Sequence, residues 1–237
     1  ALNPFQVIIF NDHKQARFEI TNPEEADQLS YFCASEPELV ARMLSLSEED
    51  VVLDVGANIG KYSILAAVFS RVRVIAVEPF EPNFTRLNDN IKANELSLIM
   101  VHNVALGAEE IHGTLDYENR HAGVSRQTVT SASPVDDFGG AAKGKDPIMI
   151  TSFDRLLTQF NHPKPTFVKI DVDGYEGPVV KGMHDFLLDH RPRGIMIELR
   201  HGTHESKEII STLNNLGYGV RIGDSPKNTY FDIPPKQ

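Results

Sequence analysis

The chain has 237 residues, a formal net charge of −10 and one cysteine, long enough for one domain with a substantial core and short for two ordinary ones. Its 23 Lys and Arg are scattered, which argues against a nucleic-acid partner, since phosphate affinity depends on clustered cations, and leaves a small molecule or sugar as the easier one. Cys33 alone excludes an internal disulfide framework or a multi-cysteine zinc site, and no apolar run approaches the roughly 18 residues of a membrane helix, so a reducing cytoplasm is the expected location.

The opening residues, "ALNPFQVIIFNDHK", place no basic region before their apolar stretch and do not read as a secretory signal. Residues 1–35 are taken as an N-terminal extension of a single domain. From "EPELVARMLSLSEED", a helix, the chain alternates short β-branched runs with amphipathic stretches, as a parallel sheet covered by helices requires. "VVLDVG", "RVIAVEP", "LIMVHNVAL" and "TFVKIDVDG" read as the first four strands, with helices "KYSILAAVFS" and "NFTRLNDNIKANEL" after the first two.

Residues 107–150 break the alternation. "GTLDYENRHAGVSRQTVT" has the short alternation and central Gly123 of a β-hairpin, whereas "SASPVDDFGGAAKGKDP" reads as a flexible loop. An insertion of this length is better suited to a lid or binding element than to filler. "MITSFDRLL" gives a short strand and a helical turn, followed by helix "GPVVKGMHDFLLDH", strand "RGIMIEL", helix "HESKEIISTLNNLG" and strands "YGVRIGD" and "NTYFDI". The core is therefore 36–106 and 151–237.

An open α/β sheet binds ligands beyond the carboxyl ends of its strands. The first strand ends in Asp54, Gly56, Asn58 and Gly60, where small residues let a ligand approach the backbone. A dinucleotide site would require glycine where Asn58 stands, which opposes a nicotinamide oxidoreductase. Asp54 would repel a pyrophosphate but suit an ammonium or sulfonium, and Glu78, ending the second strand, can accept both hydroxyl hydrogens of an adenosine ribose. Together they point to S-adenosylmethionine. The same residues also admit plainer roles, Asp54 as a helix cap and the glycines as turn formers.

"VVLDVGANIGKYSILAA", "VIAVEPFEPNFTRLNDNI", "HNVALG", "TSFDRLL", "FVKIDVDGYEGPVVKGM" and "IMIEL" follow in an order that resembles FkbM-type methyltransferases, over about Glu36 to Leu199. Asp173 replaces the family's usual Glu, and "KYS" its aromatic-containing variants. The resemblance implies a class I methyltransferase fold, Rossmann-like, with a seven-stranded, mostly parallel sheet whose last strand is antiparallel. It also implies methylation of a hydroxyl on a sugar, glycan or natural product. Carried over residue by residue, Asp54, Gly56, Asn58 and Gly60, with Ala57, would surround the cofactor's methionine part. Glu78, with Pro79, would hold the ribose, and Asn103 or Ala105 would border the adenine. Glu36 would approach from the first helix, and Asp171 would lie near the amino group or the acceptor.

Methyl transfer to oxygen is an in-line displacement helped by a general base or by a metal that acidifies the hydroxyl. The fourth and fifth strand ends supply Lys169, Asp171, Asp173, Glu176, Glu198, His201 and His204. Period-two geometry puts Lys169 and Asp171 on one face. Asp171 is the preferred base, with His201 or His204 as alternatives, although Asp171 equally suits a cofactor-orienting or capping role. A divalent metal on Asp171, Asp173 and a neighbouring carboxylate or His is chemically open to the chain but not favoured by this spacing. His121, Tyr117, Arg120 and Arg126 are secondary candidates for an acceptor pocket. N- or carboxyl-methyl transfer, a non-catalytic nucleotide-binding module and a homo-oligomer all remain open.

Overall fold

The computed structural model describes residues 5–11, 14–124, 127–130 and 143–234, with side chains from Lys14 onward. The N-terminal extension folds onto the domain. β1 (Phe5–Asn11) and β2 (Lys14–Glu19) form an antiparallel hairpin. β2 alternates exposed residues with buried Ala16 and Phe18, and its backbone is tied to the following helical layer through Asn90 and Asn94. Next comes α1 (Pro23–Ser30), opened by a reciprocal capping box between Asn22 and Glu25 with Pro23 in its first turn. α2 (Phe32–Ser35) and α3 (Pro37–Leu44) lead into the sheet.

β3 (Val51–Val55) is buried at all five positions because helices and strands cover both its faces, so its run is apolar rather than alternating. α4 (Lys61–Leu65) continues as a π-helical turn at Ala66–Ser70, followed by β4 (Arg73–Val77), α5 (Glu81–Ala93) and β5 (Ile99–His102). The stretch expected as one third strand is broken at Asn103. Its second half, β6 (Ala105–Leu106), joins another sheet, because the Asn103 amide turns back to the carbonyls of Glu78 and Pro79.

The insertion contains the expected hairpin, β7 (Ile111–Tyr117) with β8 (Thr128–Thr130), in register Thr114 opposite Thr130. β9 (Gly144–Thr151) joins them, giving a four-stranded sheet in the order β6-β9-β7-β8. Residues 143–147, expected in the flexible loop, are thus largely strand. Their Gly-Lys-Asp-Pro composition carries no strand signal, and Pro147 is tolerated because β6 pairs only with Ile150 and Thr151. The rest of that loop expectation, residues 131–142, and Arg126 lie outside the described residues.

α6 (Phe153–Gln159) leads to β10 (Phe167–Ile170). The single helix expected next is two, α7 (Glu176–Lys181) and α8 (His184–Asp189). The break follows from tertiary contact. A Cβ on Gly182 would stand 1.8 Å from the Gly107 carbonyl oxygen, and Asp154 caps the second helix by accepting from the Asp185 and Phe186 amides. β11 (Gly194–Glu198), α9 (His204–Asn215), β12 (Gly219–Ile222) and β13 (Asn228–Asp232) complete the chain.

The central sheet runs β12-β13-β11-β10-β3-β4-β5, with β13 antiparallel to both its neighbours. Val51, Leu53 and Val55 pack toward the insertion sheet and Phe153, while Val52 packs toward Phe18, Leu39 and Tyr62. Burial of each such side chain stabilises by about 1.5–3 kcal/mol. Among the described residues no helix is long and apolar enough to cross a membrane. The parallel strands deliver Asp54, Glu78, Asp171 and Glu198 to one edge of the sheet, where the cleft lies.

Candidate active site

The turn after β3 follows its glycines. Gly56 has φ +74°, and a Cβ there would stand 1.9 Å from the Asp171 carbonyl oxygen, so only glycine lets this turn lie against the end of β10. The Gly56 and Ala57 amides donate to the Val77 carbonyl at 3.0 and 3.1 Å, fixing the turn to β4 as well. Gly60, φ +91°, admits Leu87 at its missing Cβ. Both glycines therefore serve close chain packing, and Gly60 is not part of the ligand cavity's wall.

That cavity has a volume of about 320 Å³, within the roughly 300–1,000 Å³ of small-molecule sites. One part is mostly apolar, walled by Val77, Pro79, Ala105, Leu106 and, from the insertion, Leu115 and Val129. Glu78 faces it with its two carboxylate oxygens held separately by the amides of Asn58 at 2.8 Å and Phe80 at 2.9 Å. Burial raises its carboxyl to about 7, partly opposed by those two donors.

The other part is charged. Lys169 Nζ lies 3.0 Å from Asp54 Oδ1, 3.2 Å from the Gly56 carbonyl and 3.5 Å from Asp171 Oδ2. Burial works against the ammonium, but the attraction of Asp54 first and Asp171 second outweighs it, and the pKa is raised. Tyr62 donates its hydroxyl to Glu36, whose other oxygen accepts from Asn228 Nδ2 at 2.8 Å. Burial, with Glu36 and then Asp171 and Asp54 nearby, pushes the Tyr62 phenol up, so it remains a donor. Asp173, Tyr175, Glu198 and Lys227 line the same cavity, and Lys227 donates to Glu198 at 2.9 Å. Burial first and Asp171 second raise the Glu198 carboxyl.

The wall therefore gathers Glu36, Gly56, Ala57, Asn58, Glu78, Pro79, Ala105 and Asp171 from the residues the sequence singled out. Asp54 stands behind it, 1% exposed and occupied by Lys169 and by the Ser63 hydroxyl at 2.6 Å, so its charge is met by the protein. Asn103 braces the backbone of Glu78 and Pro79 instead of lining the cavity. The two histidines also lie off the wall. His201 pairs with Thr229 Oγ1 at 3.1 Å, and His204 projects from the start of α9 with its side chain 88% exposed. Tyr117 and Arg120 are turned to Asp146, His121 is exposed, and none of them lines the cavity. Glu176 is buried at the start of α7, accepting from the Gly174 amide, and is likewise off the wall. Among the described residues no group of three or more His, Cys, Asp and Glu is arranged to hold a metal ion.

Sequence reasoning missed Gln28 on α1, together with Lys61 and Tyr62, which had been noted only as a departure from a motif. It also missed how the insertion is fastened. Asn83, fully buried, accepts from the Gly123 amide and, with Asn58 and Gln127, donates to the Val124 carbonyl. Gly123 in turn packs on the backbone of Glu24 and Glu25 in α1. No local pattern announces the contacts of Asn58 and Asn83, whose partners lie tens of residues away.

A mostly parallel seven-stranded sheet with one antiparallel strand beside its edge, and a cleft across the carboxyl ends of its central strands, defines a class I methyltransferase fold. The chain belongs to the FkbM methyltransferase domain family, whose model matches residues 54–220. It is 26% identical over 226 residues to the hexuronic acid methyltransferase AglP of Haloferax volcanii, covering 94% of this chain and 85% of that protein. It is 22% identical over 189 residues to methyltransferase 1 of Beauveria bassiana, covering 74% of each. Among solved structures it is similar to the methyltransferase FkbM from Methylobacillus flagellatus KT, with TM-score 0.53 and 19% identity. That match covers 90% of this chain and 56% of the length of the other.

Proposed function

We propose that this methyltransferase uses S-adenosylmethionine to methylate a hydroxyl on a sugar, glycan or natural product, as one domain whose insertion forms part of the cavity wall. The observation that carries the reading is one cavity with two chemically distinct parts. Apolar walls around a buried, amide-held Glu78 suit an adenosine, and a charged part with Glu36 and Lys61 suits an amino-acid tail. The similarity to a hexuronic acid methyltransferase makes sugar acids the first acceptors to try.

The cofactor supplies an electrophilic methyl group on a sulfonium. The protein's part is to hold the acceptor oxygen in line with it, exclude water and take the hydroxyl proton. Asp171 is the proposed base. Asp171 lines the cavity, and Lys169, 3.5 Å away, fixes the orientation of its carboxylate. Leu115 and Val129 contribute apolar cover from the insertion.

Calorimetric titration with S-adenosylhomocysteine, repeated on Glu78→Ala after a check of its folding, tests the reading. Micromolar binding that the variant weakens supports it, and absence of binding at millimolar ligand refutes it. A radiolabelled methyl screen of sugar acids and neutral sugars then separates oxygen ethers, stable to mild base, from carboxyl esters, which are not.

A further inference from the structure

The charged part of the cavity contains two lysines in very different situations. Lys169 Nζ donates to Asp54 Oδ1 at 3.0 Å and to the Gly56 carbonyl at 3.2 Å, and pairs with Asp171 Oδ2 at 3.5 Å. Two hydrogen bonds and two carboxylates therefore satisfy this ammonium within the protein. Lys61 differs. Its side chain is 16% exposed; among the described residues its one hydrogen-bond acceptor is Gln28 Oε1 at 3.2 Å, and the carboxylate oxygen it pairs with, Glu36 Oε2, is 3.9 Å away. At that separation the pair attracts without a hydrogen bond.

Glu36 is equally 16% exposed, and two neutral donors, the Tyr62 hydroxyl and the Asn228 amide, hold it on the wall of the same cavity. A cation and an anion side by side, open to one cavity and too far apart to satisfy each other, form the complement of a zwitterion. The α-ammonium of an amino acid would meet the Glu36 carboxylate, and its α-carboxylate the Lys61 ammonium. Each new contact would be charge-assisted and largely shielded from water.

We propose that Lys61, steadied by Gln28, binds the α-carboxylate of the cofactor's amino-acid tail, making helix α1 of the N-terminal extension part of the cofactor site. The inference rests on the S-adenosylmethionine reading above and deepens it. Gln28 reaches the cavity from a segment that precedes the matched family region, and α1 is itself fastened to the insertion by the Asn22 amide, which donates to the Ala122 carbonyl at 3.1 Å. The extension therefore supplies a recognition element that the strand ends lack.

The probes are S-adenosylhomocysteine and 5′-methylthioadenosine, which keeps the nucleoside and thioether but has no amino-acid tail. Their affinities are measured by calorimetry on the full chain, on Lys61→Met, on Lys61→Arg and on Gln28→Leu, each checked by thermal melting. Lys61→Met is expected to weaken S-adenosylhomocysteine by about 10- to 100-fold, the worth of a charge-assisted hydrogen bond, and to leave methylthioadenosine within about twofold. Lys61→Arg should restore most of the loss, and Gln28→Leu should cause a smaller loss in the same ligand only. Equal affinities for S-adenosylhomocysteine in wild type and Lys61→Met overturn the inference. So does an equal weakening of both ligands, which would make Lys61 a support of the pocket. Failure of the wild-type protein to bind either ligand overturns the cofactor reading itself, and this inference with it.

Discussion

Lys169 Nζ lies 3.0 Å from Asp54 Oδ1, both side chains at most 2% exposed, and the two residues are direct register partners on adjacent parallel strands. The pair is a charged seam under the turn after β3. Lys169→Met leaves the Asp54 carboxylate buried with, among the described residues, only the Ser63 hydroxyl as a donor, and is expected to cost about 3–5 kcal/mol. The double change Asp54→Asn with Lys169→Met should cost clearly less than the two single losses added together. Urea unfolding of the four proteins measures the coupling, and additivity within about 0.5 kcal/mol would contradict it.

Two glycines of similar backbone conformation should respond very differently to alanine. At Gly56, φ +74°, a Cβ meets the Asp171 carbonyl at 1.9 Å, whereas at Gly202, φ +90°, it meets nothing within 4 Å. Gly202→Ala carries only the left-handed strain, about 1–2 kcal/mol. Gly56→Ala must also separate β3 from the end of β10, so it is expected to lose at least twice as much stability and the S-adenosylhomocysteine affinity too. Similar losses in the two variants would show that the turn can shift without harm.

Glu176 makes stability depend on pH in a defined direction. Burial pushes its carboxyl up from 4.5 to about 7, while the unfolded chain releases the same proton near 4.5. Between those values the folded state binds more protons than the unfolded one, so this group's contribution to stability falls as pH rises and is lowest above pH 7. Glu176→Gln should therefore melt close to wild type at pH 4 and higher at pH 8, by an amount on the order of 2 kcal/mol. The same difference at both pH values would rule out its proton as the cause.

Asp171→Asn tests the proposed base. With an active acceptor in hand, kcat should fall by roughly 10²- to 10⁴-fold, while affinity for S-adenosylhomocysteine changes less than about tenfold. Near-normal kcat would remove Asp171 from the role and direct attention to Glu198, which lines the same cavity and has a raised carboxyl pKa.

Local chemistry carried much of the architecture into the sequence. The buried runs around Leu53, Ile75, Val168 and Met196 could only be strands covered on both faces, and strand-terminal Glu78 and Asp171 fall on the cavity wall because parallel strands end together. The single third strand, the single helix after β10 and the loop through residue 147 were misread because their outcomes depend on partners elsewhere: the Asn103 amide, the Gly107 carbonyl and β7.

The site divides the same way. Residue type and spacing marked the turn from Asp54 to Gly60 as special, since two glycines four apart after an apolar strand need a backbone reason. They did not show that Asp54 would be claimed by Lys169, 115 residues away, or that Gln28 and Lys61 would meet in the cavity. Period and turn chemistry are properties of neighbours along the chain, so the sequence alone determined the buried central strands, the turn and the strand-end carboxylates. Which charges are satisfied by the protein and which are left to a ligand depends on distances between remote segments, and only the tertiary structure decided that.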